Sequence, residues 1–219
     1  MKKVIIFDLD GTLLDTLKDL REAVNFALNS FSYPLRTMEQ VRKDIGNGVN
    51  KLIERSIPGG LDNKDYEIVL GTFKKYYGNN YDVYTKSYSE MPKLVAALKD
   101  EGYLVTVATN KIIDVAKELL DHHYQGLFDY IQGDDIGVKK KPDPNMIENI
   151  AKHYGVQKEE ILYIGDTNVD EETALNSKVD YVLVTYGYRT EEEIKNSCIG
   201  KNICHNPKEL LEYINKLSA

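Results

Sequence analysis

The stretch VIIFDLDGT, Val4 to Thr12, sets four apolar residues directly ahead of two aspartates spaced two apart, and a glycine follows them. A short apolar run without polar alternation reads as a strand buried on both faces, as in parallel sheets covered by helices. Side chains alternate along a strand, so Asp8 and Asp10 project to one side while Leu9 faces away. Gly11 then lets the chain turn sharply and keeps its backbone amides accessible. Carboxylates at the end of a buried strand are costly unless something pairs with them. The pair must therefore be read together with whatever the fold brings beside it.

Working outward, similar apolar runs recur at Leu104 to Ala108, Ile161 to Ile164 and Tyr181 to Val184, each followed by a polar turn and a helix-period segment. That alternation predicts an α/β fold, a Rossmann-like parallel sheet with helices on both faces. It breaks between Thr16 and Tyr84, where helical patterns follow one another with no strand between them. Leu17, Leu20, Val24, Ala27, Leu28 and Phe31 recur at helical spacing, and Thr16 with Asp19 reads as a capping box. Further helices are expected over Val41 to Ile45, Val49 to Ile57 and Asp65 to about Tyr77. The division expected is a core of residues 1–15 and 85–219 interrupted by an all-helical insert, 16–84. The core resumes with a helix from Lys93 to Asp100 and ends in a helix with Asn206 as N-cap and Pro207 at its first position.

In open parallel α/β sheets ligands bind at the carboxyl ends of the strands, so the other strand ends belong to the same site as Asp8 and Asp10. The strand ending at Ala108 delivers Thr109 and Asn110, the latter expected as N-cap of a helix beginning at Lys111. The strand ending at Ile164 delivers Asp166, with Asp170 one helical turn on. Between them Lys141 precedes Pro142 in KKKPDP, which biases it toward an extended conformation. Each residue alone could be an ordinary helix cap or solvated loop residue. Capping does not explain their convergence on one edge. Clustered carboxylates repel unless a divalent cation sits among them, and an all-oxygen site suits magnesium. The lysine and the helix start after Asn110 would supply a positive field for a phosphate.

Composition narrows the function further. The 219 residues are 42% apolar, enough for a proper core, and 35 acidic against 28 basic residues give a net charge of −7. That balance argues against a general affinity for nucleic acid or an anionic membrane surface. Cys198 and Cys204 lack metal-site spacing and read as reduced thiols. No apolar run reaches the roughly 18 residues a membrane span needs, and no leader pattern opens the chain, so a soluble cytoplasmic protein is expected. There is no GxxxxGK[ST] loop and no setting for a nucleophile triad. The 16 tyrosines come without a basic stripe and read as packing.

In order and spacing, DLDGTLLDT, TNK, KKKPDP and GDTNVD resemble the four motifs of the haloacid dehalogenase superfamily, and the helical insert resembles its C1-type cap. The resemblance covers essentially the whole chain. It implies that Asp8 is the nucleophile of an aspartyl-phosphate mechanism and that Asp10 is the general acid and base. It implies Mg2+ held by Asp8, the backbone carbonyl of Asp10 and Asp166, with Asp170 orienting the metal's shell or the lysine. Gly11, Thr109, Asn110 and Lys141 would hold the phosphoryl group. An acid at Asp10 favours phosphate chemistry over dehalogenation. Leucine at position 17 or 20, where mutases carry a histidine, and Ile45 and Val49 around Gly46, where they carry a basic pair, count against a β-phosphoglucomutase-type enzyme. The segment IGNGVNKLIERSIP resembles the phosphoglycolate phosphatase branch, in which Asn47 and Lys51 would meet the leaving group. Arg55 is more readily part of a solvated helix face. The pyrophosphatases of that branch share these motifs. The partner expected is a small phosphorylated metabolite, with a monomer or small homo-oligomer as the working form. A phospho-accepting regulatory protein is the non-enzymatic alternative, disfavoured because an insert of about 70 residues exceeds any ordinary loop. No mechanistic role attaches to YGYRT, Tyr186 to Thr190.

Overall fold

The computed structural model describes residues 1–200 and 202–218. In chain order, strand β1 (Val4–Phe7) leads to a short strand β2 (Leu14–Asp15). Four helices follow, α1 (Leu17–Ser30), α2 (Met38–Asp44), α3 (Val49–Ser56) and α4 (Tyr66–Tyr77), and β3 (Lys86–Ser87), paired with β2, brings the chain back. Strands and helices then alternate: α5 (Met91–Asp100), β4 (Leu104–Ile112), α6 (Ile113–Tyr124), β5 (Tyr130–Asp134), α7 (Asn145–Tyr154) and β6 (Ile161–Gly165). The chain ends through α8 (Asn168–Ser177), β7 (Asp180–Val184), α9 (Glu191–Ser197), β8 (Ile203–Cys204) and α10 (Pro207–Ser218). Two compact units result, Met1–Leu14 with Ser87–Ala219, and Asp15–Lys86. No described helix is long and apolar enough to cross a membrane.

The first unit is a six-stranded parallel sheet in the order β5-β4-β1-β6-β7-β8. β1 lies between β4 and β6, with Phe7 opposite Val107 on one side and Ile164 on the other. All four β1 residues are fully buried, as expected of a strand covered on both faces. Val4, Ile6, Ala108, Ile161 and Tyr163 pack with Met146, Ile147 and Ile150 of α7. Full burial of side chains this size is worth about 1.5–3 kcal/mol each. Because β1, β4 and β6 are neighbours in register, their carboxyl ends come out side by side.

Several expectations are corrected. β4 does not stop at Ala108 but runs on to Ile112, with a register irregularity between Ala108 and Ile112, and the next helix starts at Ile113 rather than Lys111. Asn110 is thus a strand residue, not an N-cap. Its side-chain amide donates to the Lys141 carbonyl (3.0 Å) and accepts from the Lys141 amide (2.8 Å), so both ends are spent on that loop. The helix expected from Lys93 begins at Met91, with Pro92 in its first turn, where a missing N–H costs nothing. β5 and β8 carry little sequence signal: YIQGD lies at the sheet's edge with few apolar residues, and β8 has only two residues. Asn206 accepts from the Glu209 amide (2.9 Å), and Leu210 and Ile214 are fully buried.

In the second unit, Leu20, Ala23, Val24, Ala27 and Leu28 of α1 are buried, as are Val69, Leu70, Phe73 and Tyr77 of α4. Thr16 holds the N-cap position of α1 without a side-chain cap bond, so the expected capping box does not form. Asp19, buried, is used over a longer range: it accepts from the amides of Tyr84 and Thr85 and from the Thr85 hydroxyl (2.7 Å). A capping box does form at α2, between Thr37 and Gln40.

Candidate active site

Beyond β1 the ladder continues for one step, the Asp8 amide donating to Ile164 O (2.8 Å). The chain then folds back on itself, and the amides of Thr12, Leu13 and Leu14 all donate to Leu9 O. Gly11 makes this turn with φ +85°, and a Cβ there would lie 2.3 Å from Asp166 Oδ2. Only glycine combines that conformation with that close an approach. Thr12 Oγ1 donates to Asp166 Oδ1 (3.3 Å).

Lys141 is the hub of the site. Its buried ammonium contacts Asp8 Oδ1 (2.8 Å), Asp170 Oδ1 (2.8 Å) and the Tyr163 hydroxyl (2.9 Å), three acceptors for three protons. Tyr163 in turn donates to Asp170 Oδ1 (2.8 Å). Asp170 Oδ2 accepts from the amides of Asp166 (3.2 Å) and Thr167 (3.0 Å) and from the Thr167 hydroxyl (2.7 Å). Asp170 therefore both caps the start of α8 and fixes the lysine. Thr109 is buried within β4, where its hydroxyl accepts from the Lys111 amide (3.3 Å).

Sequence reasoning missed four contributors. Lys111, expected on a helix, sends its ammonium to Asp10 Oδ1 (2.8 Å). Tyr163, expected only to pack, carries within Ile161-Leu162-Tyr163-Ile164 a hydroxyl that needs a partner once buried. The other two lie in YGYRT, which gains a role. The Tyr188 amide donates to Asp166 Oδ2 (2.6 Å), and a Cβ on Gly187 would sit 2.1 Å from Gly11 O and 2.6 Å from Asp166 Oδ2. The segment is the second wall of the Asp166 pocket. A glycine between two tyrosines directly after a buried strand was the available signal.

The electrostatics follow from burial. Burial pushes the Asp8 carboxyl up to about 7, against the pull of Lys141 and with the repulsion of Asp170. Asp166 is raised well above the ordinary carboxylate range by burial, then by Asp170 and Asp8, while the Tyr188 amide and Arg189 work the other way. Burial opposes ionisation of Asp170 too, but Lys141, Thr167 and Tyr163 outweigh it and hold its carboxyl low. Burial disfavours the Lys141 ammonium, and Asp170 and Asp8 outweigh that, keeping it firmly protonated. One carboxylate oxygen each from Asp8, Asp166 and Asp170 lie within 4.8 Å of one another. An all-oxygen donor set, crowded carboxylates sharing one ammonium, and a wall of bare glycine backbone fit a hard divalent cation.

The cap residues singled out in the sequence lie in the second unit. Lys51, half exposed, pairs with Glu54 (2.7 Å), and Asn47 accepts from Arg55 (2.9 Å). Arg55 also donates to Asp44 O (2.7 Å), so this exposed cation ties the loop before α3 to the helix.

Comparison with known proteins agrees with this geometry. The phosphoglycolate phosphatase of Aquifex aeolicus is 36% identical over 187 residues, 85% of this chain and 86% of that protein. That of Aliivibrio fischeri is 31% identical over 202 residues, 89% of each. A solved structure from Lactobacillus delbrueckii subsp. bulgaricus, provisionally assigned as a phosphoglycolate phosphatase, superposes with a TM-score of 0.92 at 29% identity, covering 98% of this chain and 99% of that one. The sequence pattern of the haloacid dehalogenase-like hydrolases matches residues 5–184. With the two aspartates just past the first strand, the lysine hub and the acid pair after β6 in place, the chain belongs to the haloacid dehalogenase-like hydrolase family.

Proposed function

We propose that this hydrolase is a magnesium-dependent phosphomonoesterase acting on a small, carboxylate-bearing phosphate ester of the phosphoglycolate type. The observation that carries the reading is the pairing of Asp8 with the buried Lys141, beside Asp166 and Asp170 and two residues from Asp10. The named activity of the relatives supports the substrate class.

Asp8 attacks phosphorus in line, forming an acyl phosphate as the ester P–O bond breaks, and Asp10 delivers a proton to the departing oxygen. Asp10 then takes a proton from water, which attacks the same phosphorus, releasing phosphate and restoring the Asp8 carboxylate. Lys141 keeps Asp8 aimed and balances charge on the phosphoryl oxygens, with Thr109 and the amide of Asn110 as further donors; the Gly11 amide, expected among them, is given instead to Leu14 O (2.9 Å), so Gly11 serves the turn. Held by Asp8, the Asp10 main-chain carbonyl and Asp166, magnesium would supply positive charge against those oxygens. Asn47 and Lys51 are assigned to the carboxylate of the leaving group.

The test is magnesium-dependent phosphate release from a panel of phosphoglycolate, pyrophosphate, β-glucose 1-phosphate and nucleotides, with Asp8→Asn as blank. A kcat/KM preference for phosphoglycolate is expected. Preference for pyrophosphate would overturn the substrate class, and no turnover on any member would overturn the enzymatic reading.

A further inference from the structure

Lys111 has no place in the mechanism above, yet it is built into the site. Its side chain is 3% exposed, and its ammonium lies 2.8 Å from Asp10 Oδ1. A lysine this deeply buried must be paired, because an ammonium left alone there would be strongly destabilising.

The fold fixes where it points. β1 and β4 are paired up to Phe7 and Val107, so Asp10, just past β1, lies beside the carboxyl end of β4, which carries Lys111. Lys111 lies within the irregular stretch between Ala108 and Ile112, and bulges next to active sites commonly re-aim a side chain. β5 holds this backbone closely: a Cβ on Gly133 would lie 2.9 Å from both Lys111 O and Ile113 Cα. Lys141 meanwhile serves Asp8 and Asp170. Lys141 thus pairs with the nucleophile and Lys111 with Asp10.

We infer that Lys111 is a positioning residue that holds Asp10 Oδ1 and thereby sets the direction in which Asp10 passes its proton to the oxygen leaving phosphorus. This rests on the phosphomonoesterase reading. Its consequence is selective. An alkyl phosphate, whose leaving alkoxide needs that proton as the P–O bond breaks, depends on Lys111. A nitrophenyl phosphate, whose leaving group departs as a stable anion, depends on it little.

The experiment measures kcat/KM for phosphoglycolate and p-nitrophenyl phosphate, with magnesium, in wild type, Lys111→Met, Lys111→Gln, Asp10→Asn and the Asp10→Asn/Lys111→Met double variant. General acid–base catalysis is worth about 10²–10⁴-fold, so disorienting the acid should cost Lys111→Met about ten- to a hundredfold on phosphoglycolate and little on the aryl ester. The double variant should lose no more on phosphoglycolate than Asp10→Asn alone, since Lys111 acts through Asp10. Equal losses on both substrates, or losses that add in the double variant, overturn the assignment. Lys111→Gln keeps the test usable if the methionine variant does not fold. An inactive wild type overturns the enzymatic reading itself, which is a distinct result.

Discussion

Gly187→Ala is the most informative single change, because it adds one methyl group to a segment outside the recognised motifs. The new Cβ would stand 2.1 Å from Gly11 O, whereas real Cβ atoms essentially never come closer than 3.0 Å. One backbone must therefore yield by about 0.9 Å, because Gly11 O is a main-chain atom that no side-chain rotation can move aside. Gly11 adjoins Asp10 and packs on Asp166, and the neighbouring Tyr188 amide holds Asp166 at 2.6 Å, so the displacement falls on the proposed catalytic groups. Overpacking of this kind costs about 1–3 kcal/mol, or about 2–12 °C in Tm for a chain of this size. Misplacement of catalytic groups by about 1 Å can cost about a hundredfold in rate. The assay is phosphate release from phosphoglycolate with saturating magnesium, alongside thermal melting. The expected result is a folded protein with kcat down about a hundredfold. A variant with wild-type kcat/KM and Tm would refute the placement of YGYRT against Asp166.

Gly71, inside α4, has open space where a Cβ would go and no left-handed φ, so Gly71→Ala should stabilise by about 0.5–1 kcal/mol, read as a higher urea midpoint. The Glu171 carboxylate accepts from Tyr181 (2.6 Å) and from the amides of Ile199 (2.9 Å) and Gly200 (2.5 Å). Burial pushes its carboxyl up, but these donors prevail and hold it below the ordinary value. Its contribution is therefore present above the unfolded glutamate pKa and lost as pH falls through the lower folded one. Glu171→Gln should cost about 1–3 kcal/mol at pH 7, and less as the medium is acidified through that window, measured by denaturant melts across pH. Lys51→Ala should weaken phosphoglycolate more than p-nitrophenyl phosphate in kcat/KM, and equal losses would remove it from substrate recognition.

The central frame was legible because strong local signals coincide with it. Val4 to Phe7 carries the pattern of a doubly covered strand, and the DxD spacing sets two acids at its exit. Once β4 and β6 flank β1, the rest of the acid cluster follows from topology. The misreadings arise where tertiary structure overrides local preference. Asn110 has every local reason to cap a helix, but its amide is better used pinning the Lys141 loop, and the strand runs on past it. Asp19 has the spacing of a capping box, but is drawn to Tyr84 and Thr85, 65 and 66 residues away. The roles of Lys111 and Gly187 were hard to read for a related reason. Their meaning lies in distances to residues remote in sequence, and no periodicity encodes that.

The claim on which the account turns is that Asp8 carries the phosphoryl group. Rapid quenching of wild type during turnover of a substrate radiolabelled at phosphorus, followed by peptide mapping, tests it directly. The prediction is acid-stable, base-labile label on the peptide containing Asp8, formed and lost at rates consistent with turnover and absent from Asp8→Asn. Turnover without covalent label under conditions that trap acyl phosphates, or label on a peptide lacking Asp8, would contradict it.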